Sequence, residues 1–257
     1  MLSIRILGSG TSSGVPRIGP DWGACDPEEP RNRRTRSSVL VRSATTTILV
    51  DTSPDLREQL IAARISDVDA VLWTHDHADH CHGIDDLRQV MHARNGTPVL
   101  GLARPFTLQQ LCNRFPYIFE GRGKYYPPVV AVEPMADRFV IGDIAVTIVD
   151  QPHGGITSAG LRFETDGKVI GYATDFHEMT SAMRKLYSGL DLWVVDALRR
   201  APHPTHPHLG EVLGWIDALK PRRSALVHMD HSMDYATLAA ELPAGVEPGY
   251  DGLELHA

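Results

Sequence analysis

The chain opens on Ser3-Ile4-Arg5-Ile6-Leu7, where apolar and polar side chains alternate with the two-residue period of a strand. It then enters Gly8-Ser9-Gly10-Thr11-Ser12-Ser13-Gly14-Val15-Pro16, whose small residues and closing proline predict a loop. No Gly-Lys-Ser/Thr follows, so the glycines do not form a phosphate-binding P-loop. Residues 17–36 carry no period and are rich in proline and arginine. After them Ser38-Val39-Leu40-Val41 and Thr46-Thr47-Ile48-Leu49-Val50 read as paired strands, the second ending at Asp51. Pro54 to Ala63 has helical spacing, with Leu56, Leu60, Ile61 and Ala63 on its apolar side. Ala70-Val71-Leu72-Trp73 is a short apolar run of strand type, and Ile84 to Met91 is helical again.

The second half repeats this order. Val146-Thr147-Ile148-Val149 reads as a strand reaching Gln151-Pro152-His153, and Leu161-Arg162-Phe163 pairs with Lys168 to Tyr172 across the hairpin dipeptide Asp166-Gly167. That strand ends at Thr174-Asp175. Leu190 to Val195 is a further strand, Leu209 to Leu219 a helix, and Ala225-Leu226-Val227 a strand that ends at His228. No linker divides the chain, so residues 1–257 read as a single domain. The stretch 115–128, with Tyr117, Tyr125, Tyr126, Pro127 and Pro128, is long enough for a rim or lid over a site, or for an ordered surface excursion.

Against this background His75-Asp76-His77-Ala78-Asp79-His80 stands out, because it packs imidazoles and carboxylates into one turn between a strand and a helix. Imidazole and carboxylate together suit zinc, manganese or iron rather than calcium or magnesium, which take all-oxygen shells. Strand-end tips are also where α/β proteins bind ligands. Further polar residues close other strands: Asp51, His153, Asp175 and His228. A fold that gathers strand ends at one edge gathers these side chains too.

With 42% hydrophobic and 22% charged residues the composition is that of a globular protein. Its 25 Lys and Arg against 32 Asp and Glu leave a formal charge of −7, which argues against a broad electrostatic grip on structured RNA. No apolar stretch has the length of a membrane span and the N-terminus has no signal-type apolar core, so the expected setting is the cytoplasm, with no membrane partner. Cys25, Cys81 and Cys112 are too few and too scattered for a disulfide framework.

The His75–His80 cluster and the strand-end series together resemble the ligand set of the metallo-β-lactamase superfamily, over essentially the whole chain. The resemblance implies an α/β fold, the αββα sandwich of two mixed β-sheets flanked by helices, with the site along one edge. Carried over position by position, it implies His75, His77 and His153 as ligands of a first metal and Asp79, His80 and His228 as ligands of a second, with Asp175 bridging. Two cations about 3.5–4 Å apart need a shared anion, and a bridging water of lowered pKa serves as nucleophile. The implied cofactors are two divalent ions, zinc or manganese, with iron a further option. Cys81 matches no ligand position and is expected to pack.

Within the superfamily the chain is similar to the phosphodiesterases of the bacterial carbon-phosphorus lyase pathway, which open cyclic phosphate diesters. The matching segments are Gly8 to Pro16, Thr74 to Gly83, Thr174-Asp175, Val195-Asp196, His203-Pro204-Thr205-His206-Pro207-His208-Leu209 and Val246 to Leu255. The implied substrate is a small, cyclic phosphodiester such as a cyclic nucleotide, with His206 as general acid to the leaving oxygen and Asp79 joining it in the catalytic set. His203 and His208 are rivals for that role, and His208 is also placed to cap the following helix. A second copy of the chain is a candidate partner.

One departure is that the family's separate structural zinc site calls for a cysteine cluster in the early loop and a histidine matching His231. Here Pro20-Asp21-Trp22-Gly23-Ala24-Cys25 retains one cysteine, and one Cys with one His does not close a tetrahedral site. Trp22 and the prolines are the candidates to hold the loop instead. Arg31, Arg33, Arg34 and Arg36 are either phosphate-attracting flanks of the site or a solvated basic run. Ribonuclease Z shares the ligand series but carries a long arm before its bridging aspartate, whereas 22 positions (175 − 153) separate His153 from Asp175. A thioester or lactone hydrolase is a further alternative, without recognisable substrate-binding features.

Overall fold

The computed structural model describes all residues 1–257. The first half supplies β1 (Ser3–Gly8), β2 (Ser38–Arg42), β3 (Thr47–Val50), α1 (Leu56–Ala63), β4 (Ala70–Trp73), α2 (Ala78–Cys81), α3 (Leu87–Ala93), β5 (Val99–Ala103), α4 (Pro105–Arg114), α5 (Pro116–Phe119) and β6 (Val130–Pro134). The second supplies β7 (Arg138–Ile141), β8 (Ile144–His153), β9 (Ile156–Thr165), β10 (Lys168–Ala173), α6 (Ser181–Leu186), β11 (Leu192–Asp196), α7 (Leu209–Leu219), β12 (Arg223–Val227), α8 (Tyr235–Glu241), β13 (Val246–Pro248) and β14 (Glu254–His256).

Two seven-stranded sheets result, ordered β14-β1-β2-β3-β4-β5-β6 and β13-β12-β11-β10-β9-β8-β7. Each begins as an antiparallel meander and turns parallel, at β3 to β4 in one and β10 to β11 in the other. Alternation sorts the side chains. Val39, Val41, Ile48, Val50 and Leu72 face the opposite sheet, where Val146, Ile148 and Phe163 meet them. Leu40, Leu49, Val71 and Trp73 face outward under α1, α3 and α4. The second sheet does the same beneath α6, α7 and α8, with Trp193, Val195 and Leu226 outward. Strands such as β4, covered on both faces, therefore read as continuous apolar runs. The architecture is the expected αββα sandwich of two mixed sheets with helices outside.

The Asp166-Gly167 hairpin forms as its sequence dictates: Thr165 pairs with Lys168, and both turn residues have positive φ, 51° and 70°. In α1 the expected apolar side needs a correction. Leu56 and Leu60 are buried, but Ile61 is 56% exposed and Gln59 takes a buried place instead. Gln59 is held there because its amide serves the adjoining loop, donating to Arg36 O and Thr35 Oγ1, both at 2.9 Å.

The early loop is anchored by a buried arginine beside any contribution of Trp22, whose carbonyl accepts from Cys25 N at 2.9 Å. Arg34 is 1% exposed and staples the loop to residues 230–234, donating to Met233 O at 2.6 Å, to Asp230 O and Asn32 Oδ1 at 3.3 Å, and to Cys25 Sγ at 3.7 Å. The other arginines of the run are also engaged locally. Arg31 pairs with Glu29, Arg36 with Asp55, and Arg33 lies over the Trp22 ring.

Two stability tests follow. Leu60→Ala is expected to cost roughly 2–5 kcal/mol, whereas Ile61→Ala in the same turn stays within about 0.5 kcal/mol; equal losses in urea denaturation would show that Ile61 is covered. Arg34→Met strands buried carbonyls at about 1–3 kcal/mol each, so its unfolding midpoint is expected to fall clearly. A midpoint equal to the parent's would place the loop's anchor elsewhere.

Candidate metal centre

The strands of the parallel regions end side by side at one edge of the sandwich. β4 runs into Thr74-His75, β10 into Thr174-Asp175 and β12 into His228, while β8 delivers its last residue, His153. Asp51, Asp175 and His228, each just past a strand, have φ of 63°, 56° and 58°. This left-handed conformation is sparsely used by side-chain-bearing residues, and in a β strand it breaks the pleat and re-aims the side chain. The His75–His80 segment is not all loop. The backbone turns helical at Ala78, so Asp79 and His80 project from the single turn α2, with His77 just before it. Gly83 closes this turn against the loop after β3, where an added Cβ would lie 1.9 Å from Ser53 O. Asp76 points away from the cluster and is ion-paired with Arg114 at the end of α4.

Asp175 lies at the centre, 2% exposed. Its Oδ1 is 3.8 Å from His75 Nε2 and 3.5 Å from His153 Nε2; its Oδ2 is 3.1 Å from His80 Nε2 and 3.5 Å from His228 Nε2. On the first side His77 Nδ1 faces His153 Nε2 at 3.3 Å. On the second, Asp79 Oδ2 is 3.3 Å from His80 Nε2 and 3.5 Å from His228 Nε2. The donor atoms thus divide into His75, His77, His153 with Asp175, and Asp79, His80, His228, each set within 4.8 Å of one another.

The far sides of three of the rings are anchored. His80 Nδ1 meets Asp51 Oδ2 at 2.8 Å, His75 Nδ1 meets Thr74 Oγ1 at 3.0 Å, and His153 Nδ1 meets Thr205 O at 3.0 Å. Asp51 also accepts from Thr74 N and Oγ1. By contrast the inward Nε2 atoms of His75, His80 and His228 are buried without a hydrogen-bond partner. Buried polar atoms are rarely left so. A nitrogen-and-oxygen donor set with oriented rings and free inward lone pairs is one suited to holding transition-metal ions.

Burial opposes charge on His80, but Asp175, Asp79 and Asp51 outweigh it and hold its pKa well above the usual histidine value. His228, buried yet facing Asp175 and Asp196, is likewise raised to about 9. His75 goes the other way, pushed well below by burial and the neighbouring His80. Burial would raise Asp175, but His228, His80 and His75 pull it well below the carboxylate range.

His206 joins this centre from the 198–208 loop. Its Nδ1 meets Asp196 Oδ2 at 2.8 Å and its Nε2 lies 3.8 Å from Asp175 Oδ1, in the wall of a polar cavity of about 160 Å³ shared with His77, Asp79 and His153. His203 turns its Nδ1 onto Thr205, and His208 caps α7, its Nδ1 2.6 Å from Glu211 Oε2. Cys81 is fully buried, its thiol directed at Asp76 O and pushed up to about 12 by burial. None of Arg31, Arg33, Arg34 and Arg36 lines the cavity, and Tyr117 and Tyr126 of the 115–128 stretch border a separate hollow with Arg88. Sequence reasoning assigned no role to Asp196 or to the Thr205 carbonyl; the signals for the former were its place directly after the apolar run Leu192-Trp193-Val194-Val195 and its membership of the matched Val195-Asp196 pair.

Residues 46–229 match the beta-lactamase superfamily domain. An octanoyltransferase of Porphyromonas gingivalis (strain ATCC BAA-308 / W83) is 33% identical over 97% of this chain and 50% of its own length, so the chain spans about half of that relative. A diphosphatase of the PhnP family superposes with a TM-score of 0.90 at 34% identity, covering 99% of this chain and 96% of its own. Zinc-bound PqqB from Methylobacterium extorquens superposes at 0.80 with 21% identity, over 99% and 100% of the two chains, a likeness of fold.

Because Asp51 fixes the His80 ring, Asp51→Asn is expected to weaken metal binding about 10–100-fold while leaving the fold intact. Metal-competition titration checks this, and an unchanged affinity would remove Asp51 from the support of the centre. On the family model and the full-length superposition, the chain belongs to the beta-lactamase superfamily.

Proposed function

We propose that this protein is a metal-dependent hydrolase of small phosphodiesters, working at a dinuclear centre. The observation that carries the reading is the Asp175 carboxylate, whose two oxygens face two separate groups of imidazoles. In this reading His75, His77 and His153 would hold one ion and Asp79, His80 and His228 the other, with Asp175 available to both. When bound, such a pair supplies Lewis acidity towards phosphoryl oxygens and brings the pKa of water down towards neutrality.

The chain's own groups do the rest. The adjoining cavity has no hydrophobic residue in its wall, which suits an anionic ester and gives an acyl chain nothing to lie against. This disfavours a thioester substrate, including one of the kind suggested by the octanoyltransferase relative's name. In this reading Asp79 takes a proton from the attacking water. As the ester bond breaks, His206 donates the proton on Nε2 to the departing oxygen, its ring held by Asp196 through Nδ1. Of the three histidines in the loop, His206 alone pairs an acid-anchored Nδ1 with an Nε2 near Asp175; His208 is spent on its helix cap. A ribonuclease Z activity is disfavoured because β9, β10 and their two-residue turn fill the interval from His153 to Asp175, with no room for an arm.

Asp175→Ala is expected to abolish turnover and to empty much of the second metal position, as measured by elemental analysis; two tightly held metals and full activity would sink the dinuclear reading. General acid catalysis contributes about 10²–10⁴-fold, and most where the leaving group is poor. His206→Ala should therefore depress hydrolysis of a 2′,3′-cyclic nucleotide far more than that of bis-p-nitrophenyl phosphate, with metal content unchanged. Equal losses on the two substrates would assign His206 a binding role instead.

A further inference from the structure

The stretch after α4, which takes no part in the metal centre, carries Gly121-Arg122-Gly123-Lys124-Tyr125-Tyr126, an interleaving of basic and aromatic side chains. It folds as a small closed turn. Arg122 N donates to Tyr126 O at 2.6 Å, and at the base of the turn Val129 N donates to Ile118 O at 2.7 Å. Gly121 has a φ of 72° and an added Cβ there would lie 2.5 Å from Tyr126 O, so glycine is what lets the two arms approach. Tyr117, Arg122 and Tyr126 meet Arg88 of α3 around a hollow of about 380 Å³. That volume falls within the range of small-ligand sites, about 300–1,000 Å³.

The side chains at the hollow are aromatic and cationic. Tyr117 Oη donates to Asp85 Oδ2 at 2.7 Å, which fixes the ring, and the Arg122 guanidinium lies over that ring, 5.5 Å from its centroid. Tyr126 is 62% exposed and Tyr125 is 85% exposed, so two further rings stand in water. Arg88 has Asp85 only at 4.0 Å, and neither Arg122 nor Lys124 joins an ion pair. The result is a local positive and aromatic surface on a chain whose net charge is −7. Aromatic faces and guanidinium planes take stacked bases of any sequence, while cations beside them follow the phosphates. The recess holds one such unit. Lys124 and Tyr125 lie outside its wall, where they add a cation and a ring for the next unit of a chain. A bilayer would be met by a protruding apolar tip, whereas these rings border a recess.

We propose that the turn after α4 is a binding site for single-stranded nucleic acid, with one base stacked in the hollow against Tyr117 and Tyr126 and the neighbouring phosphates held by Arg88, Arg122 and Lys124. A grip that rests on stacking and a few cations needs no broad positive face, so the acidic balance of the whole chain does not oppose it. The proposal is independent of the reaction at the metal centre.

The test is fluorescence anisotropy of the metal-loaded protein with a labelled thymidine oligonucleotide of about ten nucleotides, within the site sizes of such proteins, the probe being checked on a gel for integrity. Saturable binding is expected at low salt, weakening as salt rises. Tyr126→Ala should weaken it roughly 5–100-fold, the scale of losing one base–aromatic stack, and Tyr126→Trp should hold it. Arg122→Ala and Lys124→Ala should each lower the slope of log affinity against log salt by about 0.7–1. A duplex of the same length, whose bases are not free to stack on the rings, should bind more weakly. The proposal is overturned if the wild type binds no oligonucleotide, if Tyr126→Ala binds as the parent does, or if the duplex is held as tightly as the single strand. Thymidine monophosphate competing mole for mole as well as the oligonucleotide would make the hollow a mononucleotide site and overturn the strand, and phosphatidylserine vesicles that sediment the protein while the oligonucleotide fails to bind would give the surface to a membrane.

Discussion

The compensation of one buried carboxylate governs the edge of this sandwich. Asp175 is almost wholly removed from water, and taking an ion out of water costs several kcal/mol unless something replaces the solvent. Five imidazoles stand within 3.8 Å of its oxygens: His75, His80, His153, His206 and His228. Protonated, His80 and His228 neutralise the acid, which is why their pKa values rise despite burial. Deprotonated, the same nitrogens become metal donors. Protons and cations therefore compete for one set of lone pairs, and either satisfies the carboxylate.

Such a centre is only as well defined as the backs of its rings. Here the backs of His75, His80 and His206 are tied to strand ends. Asp51, after β3, holds both His80 and the first residues beyond β4, while Asp196, at the end of β11, accepts from Asp175 N and orients His206. Sheet register thus sets the relative placement of the donors, since β3, β4, β10, β11 and β12 are neighbours in two parallel arrays. The left-handed turns at Asp51, Asp175 and His228 are the local strain that converts strand direction into a convergent site.

Much of this was legible in the sequence because the two signals are local. The period of two marks β1, short apolar runs mark β2, β3, β4 and β10, and the density of His and Asp marks the edge where they end. What went unread depends on distant partners. β5 is interrupted by Gly101, β13 and β14 are three residues each, and β6 is a half-exposed edge, so none shows a clean alternation. Ile61 has the same apolar character as Leu60, and only the position of α1 over its sheet decides which is covered. Asp51 and Asp196 are single acids after apolar runs, indistinguishable by sequence from turn caps until the rings they hold are folded beside them.

The early loop shows the limit most sharply. Its arginines form one basic run in sequence, yet Arg34 is taken inside by carbonyls of Asp230 and Met233 some two hundred positions away, and Arg31, Arg33 and Arg36 are spent on local partners. Only Arg17, outside that run, is left facing a cavity. The staple and the free guanidinium belong together. Arg34 fixes the 17–36 loop to residues 230–234, and Ala24 N reinforces the junction by donating to His231 O at 2.9 Å. A loop so tied holds its shape through its own hydrogen bonds and carries Arg17 close to the metal centre on a fixed base. Arg34 and the backbone junction with residues 230–234 thus make the early loop a fixed wall next to the site.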